Sequence, residues 1–271
     1  MKNNLIHLTK DLRKDLIEVL EPSESHHVGC SLSIIDIVAY LYFEALHVFP
    51  NEPKSPNRDI FILSKGHGAL AVYVTLYKKG FFSKEVLATY DKNGSTLPEH
   101  ISKGVPGVEL STGSLGHGLP VGLGFATSFI NDKKDNKVVV LLSDGELDEG
   151  SNWEAIMYAG HHHLENLIVI VDLNGFQGYA STEKVLDLSP LKEKIVPFNW
   201  NVYEMDGHDF KSMENVFKQI GKSKNKKPHF IIAKTIKGKG IPFFEGKFES
   251  HYKSVDLATK NKILLDLKNL S

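Results

Sequence analysis

Cysteine is nearly absent from this chain of 271 residues. Cys30 is the only one, so no internal disulfide can form, and a reducing compartment suits it. An excess of one charge is also missing. Lys and Arg total 32 against 33 Asp and Glu, a formal net charge of −1, which gives no pull toward nucleic acid or an anionic membrane. No stretch approaches eighteen consecutive apolar residues, and Met1-Lys2-Asn3-Asn4 runs into an amphipathic pattern without a signal-peptide core. Repeats, low-complexity tracts and linkers are lacking too, and the Lys-rich run Lys222–Lys227 reads as a solvated loop. The expectation is a soluble, cytoplasmic protein whose 41% apolar residues fill one large core or two modest ones.

What the chain does have is a pair of apolar, β-branched runs. Val138–Leu142 stops at Ser143-Asp144-Gly145, and Leu167–Val171 stops at Asp172-Leu173-Asn174-Gly175. Such runs, with a helical pattern between them, read as neighbouring buried parallel strands joined by a crossover. Asp144 and Asn174 then project from the C-terminal edge of one sheet, where open α/β sheets bind ligands. Two oxygen-bearing side chains there suit a hard cation such as Mg²⁺, which keeps positions for substrate phosphates. Gly145 lets the backbone approach a phosphate, and the next helix can aim free N–H groups at it. The other reading is ordinary Asp-Gly and Asn-Gly turn chemistry after two strands.

The rest alternates strand and helix. Leu5–Leu20 is amphipathic, and Ser33 with Asp36 reads as a capping box opening a helix to about Leu46. Asp59–Ser64 reads as a strand ending in Lys65-Gly66-His67-Gly68, followed by a helix closed near Gly80. Ser83 caps a short helix to about Tyr90, and a Gly-rich helix spans Leu119–Ile130. Its glycines need a reason, such as close approach of another backbone or of a cofactor. A dinucleotide-binding reading fails there because no strand feeds the glycines. Ser189-Pro190 starts another helix, Trp200–Met205 reads as a strand, Asp209 caps a helix to Lys222, His229–Lys234 is the last strand, and Val255–Leu270 is helical. The fold class is α/β, a doubly wound, mostly parallel sheet with helices on both faces.

Five blocks, in order, resemble the transketolase family: Ser25-His-His-Val-Gly-Cys, Leu63-Ser-Lys-Gly-His67, Gly107–Gly116, the Asp144 to Asn174 unit, and Lys234-Thr-Ile-Lys-Gly-Lys-Gly with His251 downstream. The fourth is similar to the thiamine-diphosphate fingerprint, whose usual Gly-Asp-Gly and Asn-Asn ends are here Ser143-Asp-Gly and Leu173-Asn. The resemblance implies thiamine diphosphate and Mg²⁺ or Ca²⁺ as cofactors. Asp144, Asn174 and the main-chain carbonyl of Phe176 would hold the metal. His67, Gly113, Ser114, Leu115, Asp144, Gly145, Glu146 and Asn174 would hold the cofactor, and His27, His67, His251, Glu149 and Glu154 would be catalytic. Histidines suit proton transfer near neutral pH. Glu149 and Glu154 fall on family carboxylates that connect paired active sites, although Ser151-Asn-Trp-Glu154 also reads as a capping box. His161–His163 reads as a favourable contact with a helix C-terminus instead.

The resemblance covers nearly the whole chain, as a single domain over residues 1–271. It implies the N-terminal subunit of a split enzyme, which transfers a two-carbon ketol unit between sugars. A separately encoded C-terminal subunit would supply the pyrimidine-binding domain in an α2β2 assembly. Two departures stand out. The family's Gly-His-Pro-Glu is here Thr96-Leu97-Pro98-Glu99, so Leu97 replaces a substrate-facing histidine unless His100 moves in, and Gly-Gln-Gly is here Gly116-His117-Gly118. Alternatives are a subunit of a 2-oxoacid dehydrogenase E1 and a non-catalytic cofactor-binding partner.

Overall fold

The computed structural model describes residues 2–20 and 26–269, so Ser25 of the first block lies outside the described residues. The elements run α1 (Lys2–Val19), α2 (Val28–Tyr40), β1 (Ile60–Leu63), α3 (Ala69–Lys79), α4 (Lys84–Leu87), α5 (Gly118–Asn131), β2 (Val138–Ser143), α6 (Gly150–His161) and β3 (Leu167–Leu173). They continue with α7 (Thr182–Val185), α8 (Leu191–Ile195), β4 (Asn201–Asp206), α9 (Phe210–Lys222), β5 (His229–Lys234) and α10 (Leu257–Asn269). The five strands pair in parallel in the order β1-β2-β3-β5-β4. The doubly wound parallel sheet is the expected fold.

Strand periodicity divides the interior into two cores. Phe61, Leu63, Val139, Leu141, Ile168, Ile170 and Ile231 face the side covered by α1, α2, α3 and α9. Their neighbours Ile60, Ile62, Val138, Val140, Val169, Val171 and Phe230 face α5 and α6. Because side chains alternate across a strand, a sheet covered on both faces needs apolar residues at every position. That is why the central strands read as unbroken runs. Gly118 and Gly122 are explained by this packing: a Cβ would strike Ser64 and Val140 respectively. Nothing in the structure explains Gly124, whose Cβ would meet open space.

Several expected boundaries move. α2 begins at Val28, not Ser33, and every one of its residues is buried. The Ser33 hydroxyl donates to the carbonyl of Cys30 at 2.9 Å and to Asp172 at 2.7 Å, so it anchors a helix to β3 and caps nothing. With the wider turn over Leu41–Ala45, the segment Val28–Ala45 has the length and apolarity to cross a membrane (mean hydropathy 1.5), but 83% of it is buried inside the fold. It is longer and more apolar than the sequence pattern suggests. Ser151 is not a cap either, because α6 starts at Gly150 after Glu149 and the Ser151 hydroxyl donates to Gly116. Asp209 caps α9 as expected, accepting from the amides of Lys211 and Ser212.

Asp36 also has a different role from the one its spacing suggests. Arg13 on α1 donates to it twice, at 2.8 and 2.7 Å, and His208 Nδ1 lies 2.8 Å away. Burial pushes this carboxyl up, but Arg13 and His208 outweigh it and hold it at about 2. A depressed carboxylate contributes stability above its unfolded value and loses it as pH falls through the folded one. Asp36→Asn is therefore expected to cost about 3 kcal/mol near neutrality, because Arg13 stays buried without its counterion. In urea titrations the gap between variant and wild type should close between about pH 4 and pH 2.

Candidate active site

The sheet being parallel, the turns after β1, β2, β3 and β5 all open at one edge. The turn after β1 supplies Lys65 and His67, that after β2 Ser143 and Gly145, that after β3 Asn174 and Phe176, and that after β5 Lys237. Together with His27, His100 and His251 they line one cavity of about 230 Å³. A cavity of about 510 Å³ lies elsewhere, between the Gly240–Phe243 turn and α10, but its lining is mainly apolar. The chemistry collects in the smaller one.

Four imidazoles crowd this cavity. The His27 ring centroid is 5.4 Å from that of His67, 5.5 Å from His100 and 5.2 Å from His251. His27 sits just before α2 with φ 57°, a left-handed conformation uncommon for a residue with a side chain. Its amide donates to the His251 carbonyl at 3.0 Å, and its own carbonyl accepts from Cys30 and Ser31. Burial holds His67 well below the ordinary histidine range, with Lys65 and the neighbouring histidines adding to it. Burial followed by Lys237 takes His251 down to about 3. Lys237 Nζ stands 2.7 Å from His251 Nδ1 and the lysine is 1% exposed. A buried ammonium at a cavity wall suits an anion.

Behind the cavity floor, Asp172 collects donors. Lys65 Nζ approaches to 2.5 Å, Ser33 to 2.7 Å and Asn174 Nδ2 to 2.9 Å, and the Thr235 hydroxyl bonds the other oxygen. The Asn174 amide is thereby oriented, and its Oδ1 accepts from the Phe176 amide at 3.1 Å. Asp144 accepts from the amides of Gly145 at 2.9 Å and Gly175 at 2.7 Å. Burial, with Asp172 adding to it, pushes Asp144 up to about 7. Among the described residues no cation forms an ion pair with this carboxylate, and the charge of Lys65 offsets only part of the push. An Asp carboxylate, an Asn amide oxygen and a main-chain carbonyl make an all-oxygen donor set, the kind a hard divalent cation takes, so the residues fit the expected metal.

The structure corrects parts of the expected site. Asp144 itself opens on an adjoining cavity of about 430 Å³ beneath the Leu186–Glu193 segment, while its neighbours Ser143 and Gly145 line the histidine cavity. Glu146 does not face the cavity. It is wholly buried, takes the Ser64 hydroxyl and the amides of Gly116 and Ser143, and so positions the loop expected to line the cofactor. Gly113 and Leu115 line the cavity, but Ser114 is exposed and does not line it. Glu149 and Glu154 are exposed and outside the cavity. His117 is also exposed, and it does not line the cavity. Leu97 is core, and His100 is the residue that reaches the cavity. Lys237 is a site residue that the sequence does not single out, since in Lys234-Thr-Ile-Lys-Gly-Lys-Gly nothing local separates it from its neighbours; only burial does.

Residues 2–262 match the family described as "Transketolase, thiamine diphosphate binding domain". The chain belongs to the transketolase family. It is 42% identical over 240 residues to an apulose-4-phosphate transketolase subunit of Phocaeicola vulgatus, covering 89% of this chain and 85% of that protein. It is 39% identical over 249 residues to a 6-deoxy-6-sulfo-D-fructose transketolase subunit of a Clostridium species, covering 92% and 90%. Among solved structures, the transketolase of Leishmania mexicana superposes with a TM-score of 0.89 at 27% identity, over 97% of this chain and 41% of that one. That of Campylobacter jejuni gives 0.84 at 28% identity, over 98% and 46%. This transketolase-family chain thus spans less than half the length of those two solved enzymes.

Proposed function

We propose that the chain is the cofactor- and metal-holding subunit of a two-subunit transketolase, which moves a two-carbon ketol unit from a ketose to an aldose. The observation that carries this is the convergence on one sheet edge of an oxygen donor set at Asp144, Asn174 and Phe176 and, beside it, a cavity ringed by four imidazoles and the buried Lys237. A bound thiamine diphosphate would supply a carbon nucleophile and an electron sink; the side chains supply binding and proton handling. Asp144, Asn174 and the Phe176 carbonyl would hold Mg²⁺ or Ca²⁺ against the diphosphate, with His67 and Lys237 donating to its oxygens. His27 and His251 would face the reacting carbons. Cleaving the C2–C3 bond of a ketose requires the C3 hydroxyl to lose its proton, and imidazole is suited to take it.

The two relatives of similar length are themselves named as transketolase subunits, and likeness to them over most of the chain supports a separate partner. So does the rim: Tyr179 and Tyr252 line the cavity yet are 87% and 53% exposed, and Leu186 beside the adjoining cavity is 50% exposed. Such a surface suits coverage by another chain. Glu149 and Glu154, exposed at the start of α6, would be available to a second copy in an α2β2 assembly. The relatives' names carry a phosphorylated and a sulfonated sugar, so a ketose with an anionic terminus is the proposed substrate class.

Cofactor affinity separates the histidine roles. His67→Ala is expected to weaken thiamine diphosphate binding by about tenfold or more, one charge-assisted hydrogen bond being worth roughly 1.5–3 kcal/mol. His27→Ala should leave binding nearly intact and reduce turnover. Affinities in the reverse order, read by fluorescence titration, would mean the two roles are exchanged. The proposed function itself is tested by following ketose consumption and aldose release by the chain mixed with its partner.

A further inference from the structure

Glu99 stands where the transketolase resemblance gives no role to a carboxylate facing the first histidine. Its Oε1 lies 3.1 Å from His27 Nδ1 and accepts from the His26 amide at 3.2 Å. The two side chains are 15% and 23% exposed, His27 and Glu99 respectively, partly withdrawn from water, where such a contact is stronger than at an open surface. We propose that Glu99 is a positioning residue: it fixes the tautomer of His27, and so makes His27, among the four imidazoles of the cavity, the one that carries the proton. The inference rests on reading the cavity as the reaction site.

The four rings differ in what stands against each of them. A neutral imidazole has one donor and one acceptor nitrogen, and a carboxylate accepts only. The contact with Glu99 therefore puts the hydrogen on Nδ1 and leaves Nε2 as the base. A carboxylate on the far nitrogen also stabilises the imidazolium that forms when Nε2 takes a proton. His251 is placed the opposite way. The Lys237 ammonium donates to its Nδ1, so a proton gained there would set two cations face to face. His67 lies in the field of both Lys65 and Lys237. His100 has no carboxylate hydrogen-bonded to its ring among the described residues, and burial and His27 hold it down against the weaker upward push of Glu99 and Asp91. Tyr252 faces His27 edge-on at 5.9 Å, and His26 turns its ring to the Tyr252 carbonyl; neither brings a negative charge. In support, the hydrogen bond from His27 is the first cause holding the Glu99 carboxyl below its ordinary range.

In the reaction proposed above, the proton of the ketose C3 hydroxyl passes to His27 Nε2. The C2–C3 bonding pair stays with the two-carbon unit, and the shortened sugar leaves as an aldehyde. The same proton returns to the alkoxide formed when the acceptor aldehyde is attacked. No outside oxidant or reductant is needed.

The test is a pH titration of histidine-labelled protein by heteronuclear NMR, on the cofactor-loaded complex and without substrate. In the wild type, His27 should be the Nδ1–H tautomer. Glu99→Gln should lower the His27 pKa by about one unit, the low end for loss of a close opposite charge, leave His67 and His251 in place, and lower His100 by less, since Glu99 acts on it without a hydrogen bond. Glu99→Asp should restore part of the shift. In turnover, Glu99→Gln should move the acid limb of kcat down by the same interval and leave thiamine diphosphate affinity unchanged. A wild-type His27 in the Nε2–H tautomer, or a Glu99→Gln variant in which neither its pKa nor the acid limb moves, would overturn the proposal; so would a shift of all four histidines together, which marks a structural role. The wild-type tautomer decides the matter even if the variants fold poorly. A normal titration with no ketol transfer would instead overturn the reaction assigned to the cavity and leave the Glu99–His27 pair standing.

Discussion

Replacing Asp144 with Asn is expected to abolish magnesium-dependent binding of thiamine diphosphate while making the metal-free chain more stable at pH 8. The two effects share one cause. In the metal-free fold, burial and Asp172 push the Asp144 carboxyl up to about 7, above its unfolded value. A raised acid opposes folding wherever it must ionise, so its cost grows between about pH 4 and pH 7 and stays constant above that. Asn removes the charge and keeps one acceptor for the amides of Gly145 and Gly175. The net gain should be about 1–2 kcal/mol once the weakened hydrogen bonds are subtracted. Cofactor affinity in magnesium should fall by at least about 100-fold, since even outer-shell partners of a metal are worth 10- to 100-fold. Thermal melts in chelator, and again with magnesium and cofactor, read both effects. A variant that binds with wild-type affinity would remove Asp144 from the site.

Lys65→Met is the second substitution with a large expected effect, this time on the fold. Lys65 and Asp172 are both wholly buried, 2.5 Å apart. Burial pushes Asp172 up, but Lys65 and the hydroxyls of Thr235 and Ser33 more than compensate and hold it below its ordinary value. With Lys65 gone, Asp172 stays buried beside Asp144 without a cation, and loss of one partner from such a pair costs about 3–5 kcal/mol. The double variant Lys65→Met, Asp172→Asn should be less destabilised than the sum of its parts, with a coupling of about 1–3 kcal/mol in a urea-unfolding cycle. Additive losses would mean that the two side chains act independently.

How much of the fold and site is legible in the sequence depends on the range of the interaction. Strands β2, β3 and β5 are readable because burial on both faces writes itself locally, as in Val138–Leu142. Asp209 is readable as a cap because its partners lie two and three residues on. Ser33, with Asp36 three residues on, has the same local look and misleads: its hydroxyl is taken by Asp172, 139 residues away, and Asp36 by Arg13 and His208. Ser151 and Glu146 mislead for a similar reason, both being committed to the Gly116 loop. At the site, Asp144, Asn174, His67 and His27 are reached through motif spacing. Lys237 carries no such signal, and the motif around Leu97 points to His100 and Glu99 without giving their roles, because what decides each of the three is a neighbour 14, 73 or 72 residues distant: His251 for Lys237 and His27 for the other two.

Reconstitution tests the two-subunit reading most directly. The chain would be purified free of other proteins, assayed for ketol transfer with thiamine diphosphate and magnesium, and assayed again after addition of a co-purifying second chain of the C-terminal transketolase type. No turnover is expected from the chain alone, because the resemblance assigns the pyrimidine-binding domain to the separately encoded C-terminal subunit. With the partner present, turnover should reach a typical enzymatic rate of about 1–1000 s⁻¹. Robust turnover by the partner-free chain would contradict the two-subunit reading.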